Sequence, residues 1–274
     1  MRRALQESLG DVALPFGKDL GEPIFTNNKI FLESCESTND VAMDLARQGC
    51  PHGTVVIAKR QTRGKGRMGR KWESFEGNLA MSLVIRPQLG LETAFRLVSL
   101  SAYATVVALE KHGVQAFIKW PNDILIESPD GECVAKLGPF RKIGGILLEM
   151  TGTNARLDSA VIGIGLNLRK PEESEQALVI PQMGFVDVPV DRFVDELLNA
   201  LEAYLCEAKG EATYLRVLEN VMKKSAFLGQ RVQVDSGAKV IQGVMRGWSP
   251  DGGLVIEVAD GTCERIYVGD VSVL

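Results

Sequence analysis

The chain has 274 residues, 45% of them hydrophobic and 24% charged, with a formal net charge of −4 and a sequence pI near 5.4. Those values suit one large globular domain, or a large domain with a small partner. They exclude a general nucleic-acid binder, which spreads positive charge over its surface. Two histidines, His52 and His112, offer little to a His-rich metal site or a His-dependent catalytic triad. Five cysteines, Cys35, Cys50, Cys133, Cys206 and Cys263, form no CxxC pair and read as reduced thiols of a cytoplasmic protein. The opening Met1-Arg2-Arg3-Ala4-Leu5-Gln6 turns polar too soon for a signal peptide. No apolar run approaches the ~18 residues that span a bilayer, so no membrane contact is expected.

Residues 1–28 are punctuated by Gly10, Pro15, Gly17, Gly21, Pro23 and Asn27-Asn28 and are expected to be irregular. A strand begins near Lys29-Ile30-Phe31-Leu32. Ser37-Thr38-Asn39-Asp40 then opens a helix, because short oxygen-bearing side chains satisfy the free N–H groups of a first turn. Val41, Ala42, Leu45 and Ala46 form its buried face, and Gly49 ends it. Thr54–Ala58 is a short β-branched strand, Asn78–Ile85 another, and Glu92–His112 a long helix stopped by Gly113. Strands are predicted around Gln115–Lys119, Ile143–Met150 and Arg156–Leu166, and helices over Asp191–Glu207 and Glu211–Lys224. After Phe227 short strands alternate with Gly- and Asp-rich turns: Gln230–Val234, Val240–Gly247, Gly253–Val258 and Cys263–Val268. Such a module is marginal alone and is expected to dock on the larger domain. The expected division is thus 1–28, 29–226 and 227–274.

The most informative stretch is Lys59 to Lys71, thirteen residues with seven positive charges, no negative ones and three glycines, followed by Trp72. Charges this dense repel one another, and glycine adds freedom rather than order. The loop becomes useful when an anion arrives to neutralise it. Gly64-x-Gly66-x-x-Gly69 matches the dinucleotide fingerprint literally, but that motif needs a helix directly after it, and a strand follows here. A P-loop fails too, because Arg70-Lys71 stand where Lys-Ser/Thr is required. A solvated basic hairpin without a ligand is the plain alternative.

Three further motifs follow. Lys119-Trp120-Pro121-Asn122-Asp123 places a cation, an aromatic, a turn and a carboxylate between two apolar strands; it also reads as a simple β-turn. Lys142-Ile143-Gly144-Gly145-Ile146-Leu147-Leu148-Glu149 puts paired glycines at the head of an apolar strand, which suggests close backbone approach or a bulge. Gly163-Ile164-Gly165-Leu166-Asn167 ends a strand on spaced glycines and an amide.

Taken in order with Ser37-Thr38-Asn39 and Gln61-Thr62-x-Gly64-Lys65-Gly66-Arg67-x-Gly69-Arg70-x-Trp72, these motifs resemble biotin protein ligase, biotin–[acetyl-CoA-carboxylase] ligase, from about Phe31 to Leu274. The resemblance implies an α+β fold: a mixed, mostly antiparallel sheet with packed helices, then a C-terminal SH3-like β-barrel. It implies ATP, Mg²⁺ and biotin, with biotinyl-5′-AMP as intermediate and a biotin carboxyl carrier protein as partner. No DNA partner is expected, because only about 30 residues precede Phe31 and a winged helix needs about twice that; the form expected is monofunctional. A homodimer is compatible with it.

By position, the resemblance assigns Ser37, Thr38, Asn39 and Gln61 to biotin, with backbone near Gly64, Lys65 and Gly145. Arg67 would retain the intermediate, and Lys142 would sit beside the reacting carboxylate and α-phosphate. Arg70, Trp72, Lys119, Asn122 and Asn167 fall on the nucleotide side, and Asp123 beside Mg²⁺ or the incoming lysine. Lys65 stands where many relatives have Arg, and Ala135–Arg141 is longer than a minimal turn. The rivals are a lipoate–protein ligase or octanoyl transferase of the same superfamily, a nucleic-acid binder using the basic loop, and a partner-recruiting β-barrel module.

Overall fold

The computed structural model describes residues 24–86, 94–153, 156–207 and 211–274. The segment expected to be irregular ends instead in a helical turn, α1 (Ile24–Asn27); residues 1–23 lie outside the described residues. Then come β1 (Lys29–Cys35), α2 (Thr38–Arg47), β2 (Val55–Gln61), β3 (Leu79–Ile85), α3 (Ala94–Glu110), β4 (Ala116–Lys119) and β5 (Asp123–Glu127). The expected start of α3 at Glu92 is outside the described residues. β6 (Phe140–Thr153) and β7 (Arg156–Leu166) are followed by α4 (Val190–Glu207) and α5 (Glu211–Lys223). The chain ends in β8 (Arg231–Asp235), β9 (Val240–Trp248), β10 (Leu254–Glu257), β11 (Cys263–Ile266) and β12 (Asp270–Val273).

The first seven strands form one sheet in the order β1-β2-β3-β7-β6-β5-β4. Only β1 and β2 are parallel, an arrangement that needs a crossover connection, which α2 supplies. The other pairs are antiparallel. Side chains alternate along each strand, so neighbours serve different cores. Val56, Val84 and Val161 pack under α2 with Ala42, Met43 and Ala46. Ile57, Leu83, Ile85 and Ile162 belong to the larger core with α3, α4 and α5. The sheet is therefore covered on both faces, and α2 lies alone on the first of them.

The α2 termini differ from the expected capping. Ser37 occupies the N-cap position but makes no side-chain capping bond. Gln61 Oε1, at the end of β2, accepts from Thr38 N–H at 2.8 Å instead. At the other end Arg86 donates to the carbonyls of Ala46 and Cys50, each at 2.9 Å. Two distant side chains thus clamp the helix, leaving its own polar residues free for other work.

The last five strands form an antiparallel sheet in the order β11-β10-β9-β8-β12. Two strands, β5 and β12, are not among those the sequence predicts. Before entering this second sheet the chain runs along the outer edge of β4: Ile118 N–H donates to Lys224 O, and Ala226 N–H to Ile118 O, at 2.8 and 2.9 Å. Trp120 is 1% exposed, and its indole N–H donates 3.0 Å to Gly252 O in the β9–β10 turn. The aromatic of the Lys-Trp-Pro-Asn-Asp motif is therefore a bolt between the two sheets.

Candidate active site

A cleft of about 810 Å³, open solvent at its mouth included, lies on the α2 face of the large sheet. Its floor is made by β6 and β7, where register pairs Gly145 with Gly165 and Leu147 with Gly163. The glycines explain themselves by what a Cβ would strike. At Gly163 it would lie 2.2 Å from Asn39 Oδ1, and at Gly165 2.6 Å from Trp72 Cε2. At Gly145 it would meet nothing nearer than Lys142 Nζ at 3.6 Å. Spacing of two on a strand puts these glycines on one face, so Asn39 and the Trp72 indole lie directly on backbone.

One end of the cleft is polar and buried. Ser37, Thr38 and Asn39 are each 3% exposed or less, and Ser82 is fully buried. Thr38 Oγ1 donates to Gln61 Oε1 at 3.0 Å. Ser82 Oγ lies 2.8 Å from Thr38 Oγ1 and donates to Asn39 Oδ1 at 2.6 Å. Asn39 Nδ2 donates to Glu149 Oε2 at 2.7 Å. The sequence reading did not single out Ser82, since one serine in an apolar strand carries no signal of its own.

The other end is charged. Lys142 Nζ lies 2.6 Å from Asp123 Oδ1, and Lys119 Nζ 3.4 Å from Asp123 Oδ2. Burial pushes the Asp123 carboxyl up, but the two ammonium groups outweigh it and hold it below the usual carboxylate range. Lys142 Nζ also stands 5.8 Å from the centre of the Trp72 ring. Asn122 receives Arg67 Nη1 at 3.1 Å and donates to Ile146 O at 2.7 Å.

The basic loop is folded rather than left to repel itself. Trp72 N–H donates to Gly64 O, and Gly66 N–H to Arg70 O, at 2.9 and 2.7 Å. At its tip Met68 takes the left-handed conformation, φ 56°, and is 71% exposed. Six of the seven cations find carboxylates: Lys59 with Glu33, Arg60 with Glu175, Arg63 with Glu36, Lys65 with Asp40, Arg70 with Asp270 and Lys71 with Glu73. Such exposed pairs add little stability, but they cancel charge. Arg67 has no carboxylate at ion-pair distance among the described residues. Burial lowers its pKa, against the pull of Asp270 and Asp123.

Of the residues singled out in the sequence, Ser37, Thr38, Asn39, Gln61, Lys65, Arg67, Arg70, Trp72, Asn122, Asp123, Lys142 and Gly145 line this cleft. Gly64, Lys119 and Asn167 do not. A Cβ on Gly64 would sit 2.4 Å from Trp72 O, so its closeness serves the loop itself. Lys119 is 6% exposed behind Asp123, and Asn167 Nδ2 donates to Gly184 O at 3.2 Å. Asp270 lines the cleft from the second sheet and was missed. Both Asp123 oxygens engage lysines, Asp270 engages Arg70, and no group of three His, Cys, Asp or Glu suited to a metal occurs among the described residues. This donor set does not make a resident metal site; a magnesium ion would arrive as part of a nucleotide substrate.

Comparison with known proteins places these features in company. Residues 31–167 match the model of the biotin/lipoate A/B protein ligase family, and residues 227–274 that of the biotin protein ligase C-terminal domain. The chain is 38% identical over 167 residues to the bifunctional ligase/repressor BirA of Bacillus spizizenii, covering 60% of this chain and 47% of that one. It thus spans about half the length of such relatives. It is 29% identical over 237 residues to the biotin–[acetyl-CoA-carboxylase] ligase of Paracoccus denitrificans, 82% of this chain and 92% of that one. A solved biotin protein ligase from Aquifex aeolicus, in complex with biotin and ATP, superposes with a TM-score of 0.73 at 26% identity, over 90% of this chain and 99% of that one.

Proposed function

Since the chain belongs to the biotin/lipoate A/B protein ligase family, we propose that its cleft joins biotin and ATP into biotinyl-5′-AMP with release of pyrophosphate. It then passes the biotinyl group to a lysine of a biotin carboxyl carrier protein, from acetyl-CoA carboxylase or a related carboxylase. The observation that carries this reading is one cleft in which a buried polar pocket at α2 meets Lys142 and Arg67 across a glycine floor. A neutral, hydrogen-bonding ring fits the first end and anions fit the second.

Ser37, Thr38, Asn39 and Gln61 hold the ureido ring; Gln61 Oε1 is occupied by Thr38, so its Nε2 is the end offered to a ligand carbonyl. The backbone of Gly145 lets the acyl chain lie close to the sheet. Lys142 turns from Asp123 toward the carboxylate and α-phosphate, where negative charge gathers as the P–O bond to pyrophosphate breaks. No nucleophile of the protein's own is needed; positioning and charge stabilisation supply the rate. Trp72 and Asn122 line the nucleotide side, with Arg70 held ready by Asp270. Arg67, which has no carboxylate at ion-pair distance among the described residues, covers the adenylate. In the second step Asp123, once Lys142 has turned away, has an oxygen free to accept a hydrogen bond from the incoming lysine. ATP enters as its magnesium complex.

The division into a catalytic unit, 29–226, and an SH3-like β-barrel unit, 227–274, belongs to the same proposal. So does a cytoplasmic location; no helix among the described residues is long and apolar enough to cross a membrane. The Gly-x-Gly-Arg loop favours biotin over lipoate, and the cancelled charges of that loop disfavour a nucleic-acid grip. The test is pyrophosphate release from ATP with biotin, lipoate or octanoate as co-substrate. Release with biotin alone supports the reading; release with lipoate alone overturns it.

A further inference from the structure

We infer that Glu149 is a positioning residue for ligand recognition, acting through Asn39 at the polar end of the cleft. This deepens the proposed function and rests on it. Glu149 lies on β6 opposite Val161 of β7, on the sheet face covered by α2. An ionised carboxylate can only accept hydrogen bonds. Its contact with Asn39 at 2.7 Å therefore dictates which end of that carboxamide faces it: the nitrogen.

The rest of the orientation follows from that choice. Asn39 Oδ1 is turned to the opposite side, above Gly163, where a Cβ would meet it at 2.2 Å. There Ser82 Oγ donates to it at 2.6 Å. Ser82 has one hydrogen, and giving it to Asn39 leaves Thr38 Oγ1 with acceptor capacity unspent. Asn39 Oδ1 keeps a second lone pair. Both Thr38 and Asn39 line the cleft, as does Gly163. The pocket thus offers acceptors at Asn39 and Thr38 and a donor at Gln61 Nε2, the complement of a cyclic urea with its N–H groups and carbonyl.

A neutral amide at position 149 would not impose this. In Glu149→Gln the new carboxamide could donate to Asn39 Oδ1, the Asn39 nitrogen would then face Ser82, and the Ser82 hydrogen would move to Thr38. Two acceptors would be lost from the ligand's side with no change of shape. Such directional chains, when fully satisfied, specify one arrangement.

The experiment compares wild type, Glu149→Gln and Glu149→Asp in the same pyrophosphate-release assay, with biotin binding by calorimetry and a thermal melt for each. Glu149→Gln is expected to raise the KM and Kd for biotin roughly tenfold. Its kcat at saturating biotin and its KM for ATP should stay within about twofold, because the ATP end is untouched. Glu149→Asp keeps an acceptor-only group and should recover most of the biotin affinity; it also keeps the question answerable if Glu149→Gln does not melt cooperatively. Wild-type biotin affinity in Glu149→Gln, equal loss of biotin and ATP affinity, or Glu149→Asp no better than Glu149→Gln would each overturn the inference. A wild type that does not bind biotin overturns the functional reading, and this inference with it.

Discussion

Lys142 Nζ and Asp123 Oδ1 stand 2.6 Å apart, so the cation proposed to meet the substrate's anions is already neutralised inside the protein. The pair sets a holding state: Lys142 is 34% exposed and Asp123 16%, and the lysine is the partner with room to turn outward. Removing it should hurt chemistry more than binding. Lys142→Ala should cost on the order of 3 kcal/mol, or ~100-fold, in adenylate formation, with biotin affinity changed far less, because the ring is held at the other end of the cleft. Lys142→Arg should rescue only in part, since the guanidinium is larger and differently placed. Pyrophosphate release and calorimetry on the same samples decide it; a normal release rate in Lys142→Ala would remove this residue from the catalytic set.

The same pair gives a pH dependence. Asp123 has a folded pKa below its unfolded value near 3.8. Its contribution to stability is therefore complete above that value and is lost as pH falls through the lower, folded one. In urea unfolding, the gap between wild type and Asp123→Asn should hold from neutral pH to about pH 4 and close below it. A gap that widens on acidification would contradict the ion-pair assignment.

Among the described residues the Arg67 side chain makes one hydrogen bond, to Asn122 Oδ1 at 3.1 Å. Arg67→Gly should therefore cost stability about 1 kcal/mol or less. It should release the adenylate faster and let bystander lysines become biotinylated. Adenylate lifetime and labelling of an unrelated protein are the measurements; unchanged values for both would refute the retaining role.

Asp270 joins the second sheet to the basic loop through Arg70. Asp270→Ala should raise the KM for ATP about two- to fivefold, the scale of one partly exposed ion pair, and leave biotin affinity alone. Limited proteolysis at Arg67 or Arg70 should be faster in the variant. Equal cleavage and equal KM would show that the loop is held by its backbone bonds alone.

Gly165→Ala would put a methyl group 2.6 Å from Trp72 Cε2 and 2.8 Å from its Nε1. The indole must move, at a cost of roughly 1–3 kcal/mol. Gly145→Ala, whose methyl meets nothing closer than 3.6 Å, should melt near wild type. If both variants melt alike, Trp72 does not rest on β7 as described.

Much of this was legible in the chain itself. Hydrophobic period and turn residues located α2, α4, α5 and β7 closely, because each element buries a face whose spacing repeats along the sequence. Local motifs marked most of the cleft, including Gly163 and Gly165, since period two on a strand places both on one side. What no local pattern could supply is the identity of the facing group. The charge density of residues 59–71 suggested a loop awaiting an anion. The fold instead brings Glu33, Glu36, Asp40, Glu175 and Asp270 to it, the last from 200 positions away. Ser37 carried the signature of a helix cap, yet Gln61 does the capping and the serine lines the cleft. Glu149 reads in the sequence as the end of an apolar strand, and only the fold sets Asn39 against it. Backbone preference and burial act between near neighbours and are written into the order of residues. Hydrogen bonds and ion pairs act within a few ångströms of space, and only the folded chain decides which residues share them.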